Sequence, residues 1–386
     1  MSREKIYITS KFFLPNIGGV ENSLKELASA LSEEFDVIIY TTNINNVSEL
    51  ELPLRENING YEVIRVNCSH SNKYIRELKF YSKMILSLRK ESKTSCIIAR
   101  DHFSVINAWL SGFRNISYLV PGVVKYQNSK QNHGAGKNKF LVSIESLVQK
   151  LSFNLTKNIF VFSDNMKRQV LDVAPNLNNN LKICKPGVNP DIFSIPAKAE
   201  VRELRTRYNI PENKYIILGM ARFVKAKGYS NLVDAFKYLS DDFLLVLVGD
   251  GPERDSYVEK IQTNNMHNVI LLGPTSNPCD FYKMSDLFAM TSIYEPLGQT
   301  ILESQVSGIP NCYHKLTDKI ITASNEVIYK DYSFEIKDNS PKHIAEAIFH
   351  ARENKSDELS EKMSQYLKDN FSWYKLGKKL IGDSND

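Results

Sequence analysis

The chain has 386 residues, 42% of them apolar and 24% charged, which is the composition of an ordinary globular protein. This length exceeds what one small core needs, so two domains are expected. The formal net charge of +5 is uneven, because residues 1–195 carry 25 Lys and Arg against 17 Asp and Glu. The basic first half favours an anionic partner such as a phosphate, a lipid surface or a nucleic acid, although solubility alone would also explain it.

Three classes of protein are disfavoured. The five cysteines are scattered and form no CxxC pair, so a disulfide framework is not expected. There is no DxD and no cluster of His and Cys, so no metal site and no cofactor are expected. The N-terminus lacks the apolar core of a signal peptide, and no run approaches the roughly 18–20 apolar residues of a membrane span. We therefore expect a cytoplasmic protein without a span.

The first half alternates short apolar runs with helical patterns. One helix is predicted from Val20 to about Leu31, where apolar residues recur at spacings of three and four. The predicted strands are 5–9, 36–42, 96–99, 115–120 and 159–163. Uninterrupted apolar strands between helices indicate a parallel sheet that is covered on both faces.

A second helix is predicted over residues 73–90. Its apolar positions Ile75, Leu78, Tyr81, Ile85 and Leu88 recur at three and four, and Glu77 is its single acid among six Lys and Arg. Such a helix can lie on anionic lipid, or it can pack its apolar stripe on the sheet. The two arrangements are compatible if the apolar stripe points inward to the sheet and the cations point toward lipid headgroups.

Residues 125–139 form a polar, basic stretch that contains glycine. A long loop in a compact domain is usually either a functional lid or a disordered segment, and both remain open here.

The second half repeats the alternation of strands and helices and predicts a second doubly wound α/β domain. The segment 187–200 is rich in proline and turn residues, which marks the boundary. We therefore divide the chain into domains 1–190 and 191–371, with a last helix at about 372–386 that is a candidate to return to the first domain.

Ligands of doubly wound sheets bind at the carboxyl ends of strands, beside helix N-termini. The first such place is Gly18-Gly19, between strand 5–9 and the first helix, where free N–H groups suit a phosphate. A plain tight turn is the alternative. The segment 248–253, VGDGPE, is a second strand end with glycines, and turn chemistry alone would explain it.

Cations and carboxylates mark two further strand ends. Arg222 and Lys227 follow a strand and precede a helix, which suits a clamp for a diphosphate, with an ordinary solvated loop as the alternative. In EPLGQTILE (295–303), Pro296 and Gly298 keep the chain out of a helix until about Gly298. Glu295 then lies in the loop before that helix, and Glu303 lies about one and a half turns into it.

Two carboxylates so placed do not face each other as the pair of a glycoside hydrolase does. They are better suited to hold two ends of one extended ligand, with phosphate between them at the helix start. A nucleotide sugar has that form.

These motifs resemble those of the retaining GT-B glycosyltransferases, specifically glycosyltransferase family 4. EPLGQTILE is similar to the family's E-x7-E motif, GMARFVKAKG to its G-R-x-x-x-x-K-G stretch, LVLVGDGPER to its V-G-x-G-P turn and FLPNIGGVE to its first loop. The resemblance extends in order and spacing over most of the chain. It implies two Rossmann-like domains facing across a cleft and a nucleoside-diphosphate sugar, most often linked to UDP, as donor substrate.

The resemblance also implies roles for individual residues. Glu295 would bind the donor sugar, Glu303 the ribose, and Arg222 and Lys227 the diphosphate and the charge of the leaving group. Gly298, Gln299 and Thr300 would lie against sugar and diphosphate, with Gly18 and Gly19 approaching the phosphate from the other domain. We assign Arg222, Lys227 and Glu295 as catalytic. The donor phosphate itself would accept the acceptor's proton, giving retention without a metal.

One departure from the family is clear. The family often has a histidine where this chain has Pro121-Gly122, and His102 and His133 are possible substitutes.

We expect transfer to a glycan acceptor, lipid-linked, in surface polysaccharide or lipopolysaccharide assembly, at an anionic membrane surface. A nucleotide-sugar epimerase of the same fold and a catalytically silent nucleotide-sugar-binding scaffold subunit are the alternatives. Nucleic-acid binding is least expected, because the cations are not interleaved with a stacking platform.

Overall fold

A computed structural model of the chain describes residues 3–16, 18–45, 51–128, 139–177 and 179–383. These residues form two compact units. The first unit holds the described residues up to Tyr126, those from 139 to Gly187 and those from Ser372 onward. The second holds Val188–Phe371 together with residues 127–128.

The β-strands are numbered in chain order. They are β1 (Lys5–Thr9), β2 (Asp36–Thr42), β3 (Arg55–Ile58), β4 (Tyr61–Val66), β5 (Ile97–Ala99), β6 (Ile116–Leu119), β7 (Asn158–Val161), β8 (Leu181–Ile183), β9 (Tyr215–Met220), β10 (Phe243–Val248), β11 (Val269–Leu272), β12 (Leu287–Met290), β13 (Tyr294–Glu295), β14 (Asn311–His314), β15 (Ile321–Thr322) and β16 (Ser333–Ile336).

The α-helices are numbered likewise. They are α1 (Gly19–Ser32), α2 (Lys73–Arg89), α3 (His102–Leu110), α4 (Val124–Gln127), α5 (Lys139–Leu155), α6 (Asp164–Val173), α7 (Lys198–Arg207), α8 (Tyr229–Ala235), α9 (Arg254–Thr263), α10 (Pro278–Lys283), α11 (Gln299–Val306), α12 (Ser324–Val327), α13 (Pro341–Glu353), α14 (Asp357–Asn370) and α15 (Trp373–Ile381).

The first unit is built on an eight-stranded sheet in the order β3-β4-β2-β1-β5-β6-β7-β8. All pairings are parallel except that of β3 with β4. The strands β1 and β2 are buried almost throughout, as their apolar sequences predict. The prediction missed β3 and β4, in which charged residues interrupt the apolar ones because β3 is a half-exposed edge strand.

The helix α2 forms where the sequence predicts it, but of the predicted apolar stripe only Leu88 is buried, with Tyr81 and Ile85 half-buried. The side chains that pack inward are Phe80, Met84 and Leu88, whereas Ile75 and Leu78 are exposed. Spacing alone could not distinguish these faces, because α2 carries apolar residues on both of them.

The stretch 125–139 is only partly a loop. Lys125 to Gln127 belong to α4, and α5 begins at residue 139. Residues 129–138, the centre of the predicted loop, lie outside the described residues.

The C-terminal helix α15 belongs to the first unit and packs on α1. Gly377 makes this contact possible, because a Cβ there would lie 2.6 Å from a methyl carbon of Leu31. Gly187 similarly leaves room for the ring of Trp373. The hydroxyl of Ser117 on β6 donates a hydrogen bond of 2.5 Å to the Leu380 carbonyl, which ties the helix to the sheet.

The second unit is built on a parallel six-stranded sheet in the order β11-β10-β9-β12-β14-β16. This is the strand order of a dinucleotide-type doubly wound fold, with its reversal between β9 and β12. The short strands β13 and β15 form a separate parallel pair at residues 294–295 and 321–322. In the described part of the chain, no helix has the length and hydropathy to cross a membrane.

The substitution Leu376→Ala should destabilise the first unit by about 2–5 kcal/mol, because it leaves a cavity under α15. Both tryptophans, Trp109 and Trp373, lie in this unit, so their fluorescence during urea unfolding reports on it alone. The exposed neighbour Lys379→Ala should change the free energy of unfolding by less than about 0.5 kcal/mol. Equal effects of the two substitutions would contradict the docking of α15.

Candidate functional site

The turn that follows β9 lies at the carboxyl edge of the second sheet. It runs from Arg222 through a short 3-10 helix, Lys225–Lys227, to Gly228, which precedes α8. Gly228 has φ of +70°, and a Cβ on it would lie 2.2 Å from the carbonyl oxygen of Thr291. Because a left-handed φ and a direct backbone contact both require glycine, this position holds the turn against the end of β12.

Two hydrogen bonds join the same turn to the segment after β12. The hydroxyl of Thr291 donates to the carbonyl of Lys227 at 2.9 Å, and the N–H of Ile293 donates to the carbonyl of Ala226 at 2.8 Å. The backbones that carry Lys227 and Glu295 are therefore linked before their side chains meet.

The side chains of Lys227 and Glu295 form an ion pair, with Nζ 2.5 Å from Oε2. Both are largely shielded from solvent, at 23% and 12% side-chain exposure, so the attraction is screened less than at an open surface. From the sequence, Lys227 is expected at the diphosphate and Glu295 at the donor sugar. Nothing in the sequence indicates that the two side chains are partners.

The position of Glu295 is fixed from both sides. Its carbonyl accepts from the N–H of Ala323 at 2.7 Å within the β13–β15 pair, so it lies in a short strand and not in the loop that the sequence predicts. Its second carboxylate oxygen, Oε1, accepts from the N–H of Gly298 at 3.4 Å. The carboxylate therefore lies at the N-terminal end of α11, where the helix dipole favours a negative charge.

Gly298 is the N-cap of α11, with φ of +83°, and the helix begins at Gln299 as the sequence predicts. The first N–H groups of a helix have no carbonyl four residues earlier in the helix to which they can donate, and here that of Ile301 donates to the Gly298 carbonyl at 2.9 Å. Gln299 and Thr300 are half-buried. Residues 298–300 thus stand at the carboxyl edge of the sheet, where a phosphate group would be stabilised.

Glu303 lies further along α11 and is held by a residue that the sequence analysis missed. The hydroxyl of Tyr282 on α10 donates to Glu303 Oε2 at 2.8 Å. Burial, with the adjacent carboxylate, holds the pKa of Tyr282 well above its ordinary value, so the hydroxyl stays protonated and donates. Tyr282 gave no signal in the sequence, because an aromatic residue in a short amphipathic helix is indistinguishable from a core residue.

Arg222 differs from Lys227 in its surroundings. It is exposed, and within the described part of the chain it forms no ion pair. Its guanidinium can therefore turn toward an anion without first breaking an internal contact. The VGDGPE turn packs beside it, since the N–H of Phe223 donates to the Asp250 carbonyl at 2.8 Å.

Gly18 and Gly19 belong to the first unit, where Gly18 is the N-cap of α1 and Gly19 its first residue. A Cβ on Gly18 would lie 2.4 Å from Glu21 Oε2, so the carboxylate of Glu21 bends back over the helix start. Burial raises the pKa of Glu21, and its own N–H and the charge of Arg100 act against this shift. A phosphate that approaches Gly18 and Gly19, as the resemblance implies, would come close to this carboxylate, and that approach stays a prediction.

Arg100 follows β5, beside β1, at the reversal point of the first sheet. Its side chain is 3% exposed and donates to the Leu119 carbonyl at 2.9 Å. Burial lowers its pKa to about 10, so the guanidinium remains charged at neutral pH. A charged residue directly after the buried run CIIA was the signal that could have identified it.

Pro121-Gly122 lies where the family often has a histidine. Gln149 of α5 holds this segment: its Nε2 donates to the Gly122 carbonyl at 2.9 Å, and its Oε1 accepts from the Val124 N–H at 2.9 Å. His102 begins α3, with its ring 4.5 Å from that of Phe103. His133 lies outside the described residues.

A cavity of about 490 Å³ in the second unit lies away from these residues. Its wall includes Asp286 and Pro310, which precede β12 and β14, so it opens at the amino edge of the sheet. Over the described ranges, no group of three or more His, Cys, Asp or Glu is arranged to hold a metal ion.

Comparison with known proteins assigns both units. Residues 17–192 match the family model described as Glycosyltransferase Family 4, and residues 200–370 match Glycosyl transferases group 1.

Curated relatives extend this similarity. An uncharacterized glycosyltransferase of Methanocaldococcus jannaschii is 23% identical over 97% of this chain and 96% of its own length. A Campylobacter jejuni N-acetylgalactosaminyltransferase, whose name gives a diphospho-undecaprenol-linked acceptor, is 25% identical over 74% of both chains. A lipopolysaccharide core biosynthesis glycosyltransferase of Rhizobium meliloti is 34% identical over 28% of this chain and 31% of its own.

Among solved structures, Anabaena HepE in complex with UDP-glucose superposes with a TM-score of 0.76 at 14% identity, covering 98% of both chains. This likeness concerns the fold. Together with the two family models and the parallel sheets of the two units, it leads to one conclusion: the chain is a glycosyltransferase of the GT-B fold.

Proposed function

We propose that this glycosyltransferase moves a sugar from a nucleoside-diphosphate sugar to a glycan acceptor with retention of configuration and without a metal. The observation that carries the proposal is the arrangement of Lys227, Glu295 and Glu303 around the start of α11. A cation, a helix N-terminus and two separated carboxylates lie on one edge of the second sheet. They match the diphosphate, sugar and ribose of such a donor.

Lys227 is the group that would neutralise the diphosphate. An ammonium group has three donors, so Nζ can keep its bond to Glu295 and still donate to a phosphate oxygen. Arg222 would supply a second, mobile cation. As the bond between sugar and phosphate breaks, negative charge grows on the diphosphate, and donors already in place stabilise it most effectively.

Glu295 would bind hydroxyl groups of the donor sugar, since carboxylates accept from hydroxyls and its position is set by β13, Gly298 and Lys227. Glu303, whose carboxylate is positioned by the Tyr282 hydroxyl, would bind the ribose hydroxyls. No protein nucleophile is assigned. The leaving phosphate would accept the proton of the acceptor hydroxyl on the same face of the sugar.

UDP is our choice of nucleotide, supported by the UDP-glucose bound to the HepE structure. A lipid-linked glycan is our choice of acceptor, in surface polysaccharide or lipopolysaccharide assembly. It is supported by the names of the Campylobacter and Rhizobium relatives and by the basic first half of the chain.

A nucleoside diphosphate that binds the folded protein should raise its melting temperature by mass action. We expect a rise with UDP above those with GDP and ADP, and loss of this rise in Glu303→Ala. The exposed Glu259→Ala is the matched control and should keep it. No rise with any nucleotide would refute donor binding.

Tyr282→Phe removes one hydroxyl from a buried ring and leaves the packing unchanged. Because Glu303 then loses the donor that orients its carboxylate, we expect the Kd for UDP to increase by about tenfold or more, measured by calorimetry. The same hydrogen bond exists in the free protein, so the free energy of unfolding without nucleotide should also fall, by roughly 1.5–3 kcal/mol. An unchanged Kd would show that Tyr282 does not position Glu303 for binding.

Lys227→Ala should lower the rate of sugar transfer by about 100-fold or more, because it removes a cation from the leaving group. Glu295→Gln should also lower it, whereas Lys225→Ala, an exposed lysine in the same turn, should not. The rate should persist in EDTA, and NMR should find the donor's anomeric configuration in the product.

Each contrary result of this assay has its own meaning. UDP binding without transfer to any glycan acceptor would favour the silent scaffold, and an inverted product would refute retention.

A further inference from the structure

The helix α5 in the first unit has polar side chains on its buried face and apolar side chains on its outer face, which is the reverse of an ordinary surface helix. Its buried face carries Gln149 and Ser152, at 2% and 0% exposure, besides Phe153. Its outer face carries Ile144, Leu147 and Leu151, exposed to 44%, 69% and 49%. Their spacings of three and four place these three side chains in one row along the helix.

The helix α2 exposes a second apolar row. Ile75, Leu78 and Leu86 lie on the face opposite the buried Phe80 and Met84, and Leu78 is 71% exposed. Two helices of one unit therefore both direct large apolar side chains away from the core. Single exposed apolar residues are ordinary, but contiguous rows of them mark an interaction surface.

The two rows belong to one continuous layer. The helix α3 packs on both α2 and α5, and the rings of Tyr81 on α2 and Phe103 on α3 are 5.1 Å apart. Burial and the carboxylates of Asp101 and Glu77 raise the pKa of Tyr81, and Glu145 on α5 adds the smallest contribution. We call the outer face of α2 and α5 the α2–α5 face.

The charges on the α2–α5 face are mainly positive. On α2 and directly after it they are Lys79, Lys83, Arg89 and Lys90, whereas Lys73 and Arg76 stand seven and four residues before Phe80 and so lie toward the buried side of the helix. Within the described ranges none of these six forms an ion pair, while the acid of α2, Glu77, is already paired with Lys11 at 2.7 Å. On α5, Lys150 is exposed and Glu145 is half-buried.

We propose that the α2–α5 face is a membrane-docking surface that lies on an anionic lipid bilayer, with the two apolar rows in the headgroup boundary and the cations on acidic headgroups. Rows of Leu and Ile flanked by Lys and Arg have the chemistry of an interfacial helix. A second copy of this chain is a poorer occupant, because two such faces would bring like charges together.

This inference deepens the proposed function, since it rests on a lipid-linked acceptor and names the surface that would bring the protein to it. It also extends the interfacial region beyond α2, where the sequence predicted it, to α5. Donor binding is assigned to the second unit, so the two proposals can fail separately.

The test is co-sedimentation of the full chain with two kinds of vesicle. One contains phosphatidylcholine alone, and the other equal parts of phosphatidylcholine and phosphatidylglycerol. We expect binding only to the second, weakened by added salt. Leu147→Ser with Leu151→Ser, and separately Leu78→Ser with Leu86→Ser, should each reduce binding at least about tenfold, because each removes two apolar anchors.

The matched control is Tyr238→Ser with Leu316→Ser, an exposed apolar pair in the second unit, and it should bind the vesicles like the parent. Every variant should keep the parent's cooperative thermal unfolding without any nucleotide, which shows that it is folded. Failure to bind anionic vesicles, or binding that both α2 and α5 variants leave intact, would overturn the proposal. So would a dimer in sedimentation velocity that the same variants disperse, since the face would then join two copies.

Discussion

The contact between two backbones at the carboxyl edge of the second sheet is the constraint on which the candidate donor site depends. Gly228 lies directly against the Thr291 carbonyl, a contact that a Cβ would prevent. Two hydrogen bonds then join the residues on either side, and this places Lys227 within 2.5 Å of Glu295. The ion pair is a consequence of main-chain geometry, so it does not have to hold the loops together by itself. This would suit the donor binding that we propose for the two side chains.

The two carboxylates of the E-x7-E segment lie on this same edge, and different groups hold each of them in place. Glu295 is held by a short strand, a lysine and the start of α11, whereas Glu303 is held by a buried tyrosine hydroxyl on α10. Neither carboxylate is a partner of the other in any described contact. This arrangement is appropriate for binding two parts of one extended molecule, and it is inappropriate for acid–base catalysis by a facing pair.

In the first unit, buried polar side chains on a helix form hydrogen bonds to the backbone. Gln149 and Ser152 point into the unit from α5, and Gln149 satisfies the backbone at Gly122 and Val124. Because the inner face of this helix is committed to hydrogen bonding, its leucines and isoleucine are left on the outside. Glu21 and Arg100 are likewise half-buried or buried charges at the carboxyl edge of the first sheet. The polar inner face of α5 is therefore the counterpart of the exposed apolar side chains on the α2–α5 face.

The sequence by itself determined a large part of this protein. The apolar runs of β1 and β2 ended where predicted, since strands buried on both faces need uninterrupted apolar residues. The start of α11 at Gln299 followed from Pro296 and Gly298, whose effect on the chain is local. Tertiary structure alone decided which face of α2 is buried, since both faces carry apolar residues, and whether Glu295 stands in a loop or a strand, since β15 is distant in the chain. It also decided the partners Lys227–Glu295 and Tyr282–Glu303, because contacts between residues far apart in the chain depend on how strands and helices pack, and no local pattern records that.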